Sequence, residues 1–229
     1  MLEKIKNNFN TQTWVLIPIA IAINIAIGQI VVLLKLPVYL DSIGTVLVAV
    51  LCGPWAGALT GALSNIIWGL AVDPNALPWW PVAFFIGYVA GRMAQWGFFK
   101  EWWKVVVTGF AVALTAAIVS TPIAVYLYGG ITASGSSFIT AYLMQTGTGM
   151  VQAVLSTGFL VEPVDKITTA MLAFAIILGL PKRMVGGYPK PEQVEVSGGA
   201  SKNQMYIAIG VVVLLVLFAA FMLRNILGG

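Results

Sequence analysis

The amino-acid sequence predicts an all-α, polytopic membrane protein. Hydrophobic residues make up 59% of the 229-residue chain and charged residues 9%, with a mean hydropathy of +0.94. A soluble domain carries about 25% charged residues. The apolar runs are long and continuous rather than alternating, which argues against a β-barrel. Their total length accommodates six or seven spans of about 20 residues each.

The same composition removes several function classes. The net charge is +4, but the basic residues flank apolar runs and form no phosphate-tracking cluster, so no nucleic-acid partner is expected. Cys52 is the single cysteine and there is no histidine. A zinc, haem or copper centre and a histidine general base are therefore disfavoured, and no cofactor is expected. No Gly-x-Ser-x-Gly, Walker motif or deep carboxylate pair stands out, so the chain does not read as an enzyme.

Span one is predicted at about Thr13 to Leu34. Its apolar run Trp14–Leu34 has 21 residues, longer than the 7–15 of a signal h-region, so it reads as a retained span. Ala22 and Ala26, four apart, share one face that lets another helix approach closely. Leu36 to Leu70 is the organising stretch: an extended lead-in, a short span two at Ser42 to Cys52, the Gly53-Pro54 corner and span three at Trp55 to Val72. Gly57-x-x-x-Gly61 and Ala58-x-x-x-Ala62 give span three a small packing face.

Val72 to Pro81 is predicted as a loop, because three prolines argue against a helix there and Trp79-Trp80 suits a membrane–water interface. Span four is predicted at Val82 to Phe99, with Gly87 and Gly91 four apart. Span five follows at Val105 to Tyr128, bent near Pro122, and Gly129 to Ser137 reads as a flexible polar loop. Phe138 to Leu160 carries Gln145, Thr146, Gly147, Thr148, Gly149 and Gln152, and reads as a broken or re-entrant helix. Span six is predicted at Val164 to Leu180, opened by Glu162-Pro163 and closed by Pro181. The domain division is then a membrane domain over 1–185, a hydrophilic linker over 186–204, and a seventh transmembrane helix with its tail over 205–229.

Charge asymmetry sets the orientation. With the N-terminus inside and Phe138–Leu160 not crossing, nine Lys/Arg fall inside and three outside, as the positive-inside rule requires. A crossing by Phe138–Leu160 reduces this to seven against five. Asp41, Asp73, Glu162 and Asp165 then fall on the outer side.

The candidate ligand-binding residues gather there. Glu162, Asp165 and Lys166 form the densest charged group near an apolar span, where charges are paired or functional. Glu162 and Lys166, at i and i+4, have the better pairing geometry. Asp165 and Lys166 point about 100° apart. The acids equally fit a helix N-terminus. Asn65 and Gln145 offer amides suited to a polar heterocycle or to interhelical hydrogen bonds. Trp68, Trp79, Trp80, Tyr126 and Tyr128 approach the outer side as ligand walls or interfacial anchors, with Trp68, Trp80 and Tyr126 the candidate ligand contacts. Asp41 is a ligand contact or an N-cap.

These features resemble the substrate-binding S component of energy-coupling factor (ECF) transporters. The resemblance rests on Ala22-x-x-x-Ala26, Pro37 to Thr45, Gly53-Pro54-Trp55-Ala56-Gly57, Asn65, Asp165-Lys166 and Leu180-Pro181-Lys182-Arg183, and it covers about Thr13 to Arg183. It implies a six-helix bundle that captures a micronutrient or vitamin at the outer side. It further implies a pocket formed by the first and third outer loops and the segment from the end of span five to the start of span six. Ala22 and Ala26 would dock on a membrane coupling subunit that joins two cytosolic ATPases. The seventh helix departs from that pattern. The excess of acid in the outer loops mildly disfavours an anionic ligand.

The expected location is the cell membrane of a prokaryote, multi-pass, with the N-terminus inside and the C-terminus outside. Two further readings stand beside transport. One is an accessory structural subunit of another membrane complex, held through Met205 to Leu223. The other is a membrane sensor component.

Overall fold

A computed structural model describes residues 2–194 and 200–227. Every regular element among them is helical. A short α1 (Leu2–Lys6) precedes α2 (Thr11–Leu33), α3 (Ile43–Cys52) and α4 (Pro54–Ala71). A 3-10 turn at Pro74–Trp79 leads into α5 (Trp80–Gln95), α6 (Trp102–Tyr128), α7 (Ser137–Gln145) and α8 (Met150–Gly179). The short α9 (Lys182–Val185), a second 3-10 turn at Pro191–Gln193 and α10 (Ala200–Leu227) complete the chain. Two of these helices, α2 with 23 residues and α6 with 27, are long and apolar enough to cross a membrane.

The shortest of the central helices lies deepest. All ten residues of α3 are buried, and it packs against α2, α4, α5 and α8. A helix enclosed on every side needs no polar face, which is why its sequence is apolar all round. The core continues through Ala90, Val112, Ala116, Met171 and Phe174. Outward faces carry large apolar side chains, including Trp14, Leu33, Ile118 and Leu214.

Two devices fix how α3 sits. The first is Asn24, fully buried in α2. Its Nδ2 donates to Thr45 Oγ1 at 2.9 Å and to Ser64 Oγ at 3.0 Å, and its Oδ1 accepts from Gly44 N at 2.7 Å. One amide thus ties α2, α3 and α4 with its donors and acceptor in use. The second is close backbone approach. A Cβ on Gly44 would lie 2.2 Å from Ala20 O, and one on Gly87 would lie 2.3 Å from the Gly57 carbonyl. The small faces predicted on spans three and four therefore meet each other, backbone against backbone.

Several boundaries differ from the sequence reading. The prolines of 72–81 do not exclude helical structure: Pro78 sits inside the 3-10 turn, and Pro74 and Pro81 open the 3-10 turn and α5, where a missing N–H leaves nothing unpaired. Glu162-Pro163 does not open a span, because α8 runs through Pro163. The break falls instead at 146–149, where Gly147 has φ +93°. At nine residues, α7 rises only about 14 Å, and 150–160 forms the first part of α8, so 138–160 is a helix broken at its centre. The linker is partly ordered: Asn10 Nδ2 donates to Gly187 O at 2.9 Å and Lys190 N to Leu51 O at 3.0 Å. Residues 195–199 of that linker lie outside the described residues, as do Met1 and Gly228–Gly229 of the predicted tail. The C-terminal helix begins at Ala200 and packs along α8 and α6.

Replacing Asn24 with Ala leaves the Gly44 N–H and the Thr45 and Ser64 hydroxyls without that partner. A loss of about 1–3 kcal/mol is expected, read as a lowered midpoint of thermal unfolding in detergent. An unchanged midpoint would show that the amide does not hold α3 in place.

Candidate functional site

The helices α2, α4 and α6 end, and α3 and α5 begin, at one end of the bundle. A cavity of about 160 Å³ opens there, the size at which an engineered cavity accepts a one-ring molecule. Its floor comes from α4 and α5 and one wall from α8. The 36–42 connector, the first 3-10 turn and the 129–136 segment surround its mouth.

Asp165 organises one side. It is fully buried, and its Oδ1 accepts from both Tyr39 N and Leu40 N at 2.7 Å. Its Oδ2 accepts from Lys166 Nζ at 2.5 Å. The same ammonium lies 3.6 Å from Asp41 Oδ1, 3.7 Å from Glu162 Oε2 and 5.4 Å from the Tyr39 ring centroid. Buried ions persist only when paired and hydrogen-bonded. Three carboxylates around one lysine leave the group acidic.

This geometry corrects two expectations. The expected i, i+4 ion pair of Glu162 with Lys166 is present at 3.7 Å, but Lys166 also donates directly to its neighbour Asp165, a pairing that the angle of about 100° between them did not suggest. The helical angle separates the two Cβ atoms, but the four-carbon lysine stem spans it, and Asp165 is already fixed by two backbone N–H groups. The helix-terminus account of the acids fails, because Glu162 and Asp165 lie in the interior of α8. Nor is Asp41 an N-cap: Ser42 occupies that position without a side-chain cap bond. The Ser42 hydroxyl donates to Asp41 Oδ1 at 2.7 Å.

Opposite the charges the lining is aromatic. Trp68 is buried and donates through Nε1 to Gln29 Oε1 at 3.0 Å. Trp79 stacks on Tyr128 with centroids 5.5 Å apart and an interplanar angle of 11°. Tyr128 also donates to Asn75 O at 2.9 Å, which ties the 3-10 turn to α6. Asn65 lines the cavity at 5% exposure, and no hydrogen bond joins its side chain to another described residue.

The 129–137 segment, predicted as flexible, is an ordered ladder of hydroxyls. Tyr39 Oη, Ser136, Ser134 and Thr132 are linked at 2.9, 2.7 and 2.9 Å, and Ser137 Oγ accepts from Thr132 N at 2.8 Å. Lys35 Nζ clamps its outside by donating to Ala133 O at 3.0 Å. Burial, reinforced by nearby Glu162, pushes the Tyr39 phenol well above its ordinary range, so it stays a neutral hydroxyl.

Of the residues singled out from sequence, Asp41, Asn65, Trp68, Glu162 and Lys166 line the cavity, and Asp165 stands behind the lysine. Trp80, Tyr126 and Gln145 do not line it. Trp80 is turned about 100° from Trp79, and Tyr126, two positions from Tyr128, points to the opposite face and is 85% exposed. Gln145 ends α7 on the surface. Trp79 and Tyr128, read from sequence only among the outer-side aromatics, line the cavity, whereas Tyr39 and the hydroxyl ladder escaped the sequence reading. The signal available was helical phase for Tyr128 and hydroxyl density in 132–137. Ala22 and Ala26 are both exposed on the outer face of α2. Among the described residues, no group of three or more His, Cys, Asp or Glu side chains is placed to hold a metal ion.

Comparison with protein-family profiles, curated proteins and solved structures yields no match. The geometry alone carries the functional reading.

Neutralising Asp165 as Asp165→Asn is expected to destabilise the fold by about 3–5 kcal/mol, the cost of stranding a buried ammonium. Adding Lys166→Met to that variant should restore part of the loss. The measurement is a double-mutant cycle on unfolding in detergent. Strict additivity of the two changes would dissolve the proposed pairing.

Proposed function

We propose that this chain is a multi-pass membrane protein that captures a small polar or aromatic molecule, as the substrate-binding component of an ECF-type micronutrient uptake system. The observation that carries the reading is the cavity. It is built from buried charge, stacked aromatics and a hydroxyl ladder, at the end of the bundle where the acidic connectors gather. Such pockets, mostly apolar with a few convergent polar groups, are the usual form of a small-molecule site.

Membrane insertion is supported by the apolar outer faces and by α2 and α6. The end opposite the cavity carries Arg92, Lys100, Lys104, Lys182, Arg183 and Lys190, which favours that end as the cytoplasmic one in a prokaryotic cell membrane. The cavity then faces out, and α10 runs from inside to outside. No ATP-binding element is evident in the sequence, so the proposed energy source is a partner set of one membrane coupling subunit and two ATPases. Ala22 and Ala26, small and outward-facing, are the proposed docking residues.

One observation favours a second reading, an accessory subunit of another membrane complex. The helix α10 is seated along α8 and α6, and Gln204 Oε1 accepts from Trp102 N at 3.1 Å. A partner could therefore be held through a helix that is itself part of the bundle.

Native mass spectrometry after gentle extraction from the source membrane tests both. The transport reading expects a coupling subunit, two ATPases and a small bound mass. A partner set without ATPases, lost on deletion of 186–229, would replace it with the accessory reading.

A further inference from the structure

The chemical class of the captured molecule follows from charge and from unused hydrogen-bonding capacity. Four charged side chains line the cavity: Asp41, Asp73, Glu162 and Lys166. Asp165, behind the lysine, already holds its ammonium at 2.5 Å. Asp41 and Glu162 therefore face, at 3.6 and 3.7 Å, a cation that is matched elsewhere. Among the described side chains near the cavity mouth, Lys35 is turned away onto Ala133 O at 3.0 Å.

Two buried groups at the cavity lack hydrogen-bond partners among the described residues. Glu162 is 5% exposed, and its buried Oε2 accepts no hydrogen bond. Asn65, also 5% exposed, has its amide unpaired at the cavity. A desolvated carboxylate oxygen without a donor is a standing cost that a ligand N–H or cationic nitrogen would remove. Trp68 and the Trp79–Tyr128 stack provide π faces beside it, and such faces attract organic cations.

We propose that the cavity takes an organic monocation of about one-ring size, its charged nitrogen beside Glu162 and Asp41 and its apolar part against Trp68 and the Trp79–Tyr128 stack. Asn65 supplies the neutral polar contact. An anion would meet two carboxylates that Lys166 does not neutralise. A neutral molecule without an N–H donor would leave Glu162 Oε2 unpartnered. This inference rests on the ligand-binding reading above and adds the sign of the ligand to it.

The test uses the full chain in detergent and thermal unfolding. The probes are one ring in three charge states, 1-methylnicotinamide as cation, nicotinamide as neutral form and nicotinate as anion, together with a metabolite library sorted into the same three classes. The expected result is saturable stabilisation confined to cations. It should weaken about tenfold or more in Kd in Glu162→Gln, and likewise in Asp41→Asn, whose half-exposed position makes it the safer variant to fold. Stabilisation by neutral or anionic compounds that survives Glu162→Gln overturns the charge assignment and leaves the binding reading standing. No stabilisation by any class overturns both.

Discussion

The carboxylate of Asp165 is the constraint on which the cavity end depends. It has no contact with water and serves three donors, two of them consecutive backbone amides of a different segment. Turning both N–H groups onto one oxygen requires a sharp bend, and Leu40 takes it with φ +52°. A non-glycine residue held there costs on the order of 1–3 kcal/mol, which charge-assisted hydrogen bonds of about 1.5–3 kcal/mol each offset. The bend presents Asp41 to the lysine. One residue of α8 thereby sets the backbone of the α2–α3 connector and the electrostatics of the cavity together.

Below that layer the helices meet through shape and polar pairing, in the Asn24 node and the Gly57–Gly87 approach. On the proposed membrane reading these carry most of the association, because apolar side chains gain little by moving from lipid to protein. The outward faces can be as apolar as the core. Each interhelical hydrogen bond contributes about 0.6 kcal/mol on average. A node that makes three of them outweighs an isolated contact, and its placement against α3 sets the depth of the helix whose start lies at the cavity mouth.

Helix positions were legible from sequence where apolar runs ended at glycine or proline, as at Gly53-Pro54 and at Pro181. They were misread where proline was taken as a stop, because Pro163 lies inside a continuous helix, Pro78 lies inside the 3-10 turn, and Pro74 and Pro81 fall in first-turn positions. The charged residues of the cavity were legible because charge is rare in this chain, at 9% of residues, and stands out beside an apolar run. The pairing among them was legible in part. Spacing along α8 favours Glu162–Lys166, which is present at 3.7 Å, whereas the shorter bond of Lys166 goes to Asp165, a carboxylate fixed by amides 125 and 126 residues away in sequence. Aromatic residues were legible as a class, but their assignment turned on helical phase, which separates Tyr128 from Tyr126 and Trp79 from Trp80. The 132–137 hydroxyls read as a linker because Ser and Gly signal flexibility unless tertiary partners such as Tyr39 and Lys35 are known.

The seat of α10 divides the circumference of the bundle into unequal flanks. With α6 and α8 partly sheathed by the chain's own last helix, the flank of α2 remains bare, from Trp14 past Ala22 and Ala26 to Leu33. A homodimer built through α6 and α8 would first have to peel α10 away and break the Gln204 bond to Trp102. The last helix thus covers part of one lateral surface with the chain's own residues and leaves the α2 flank open.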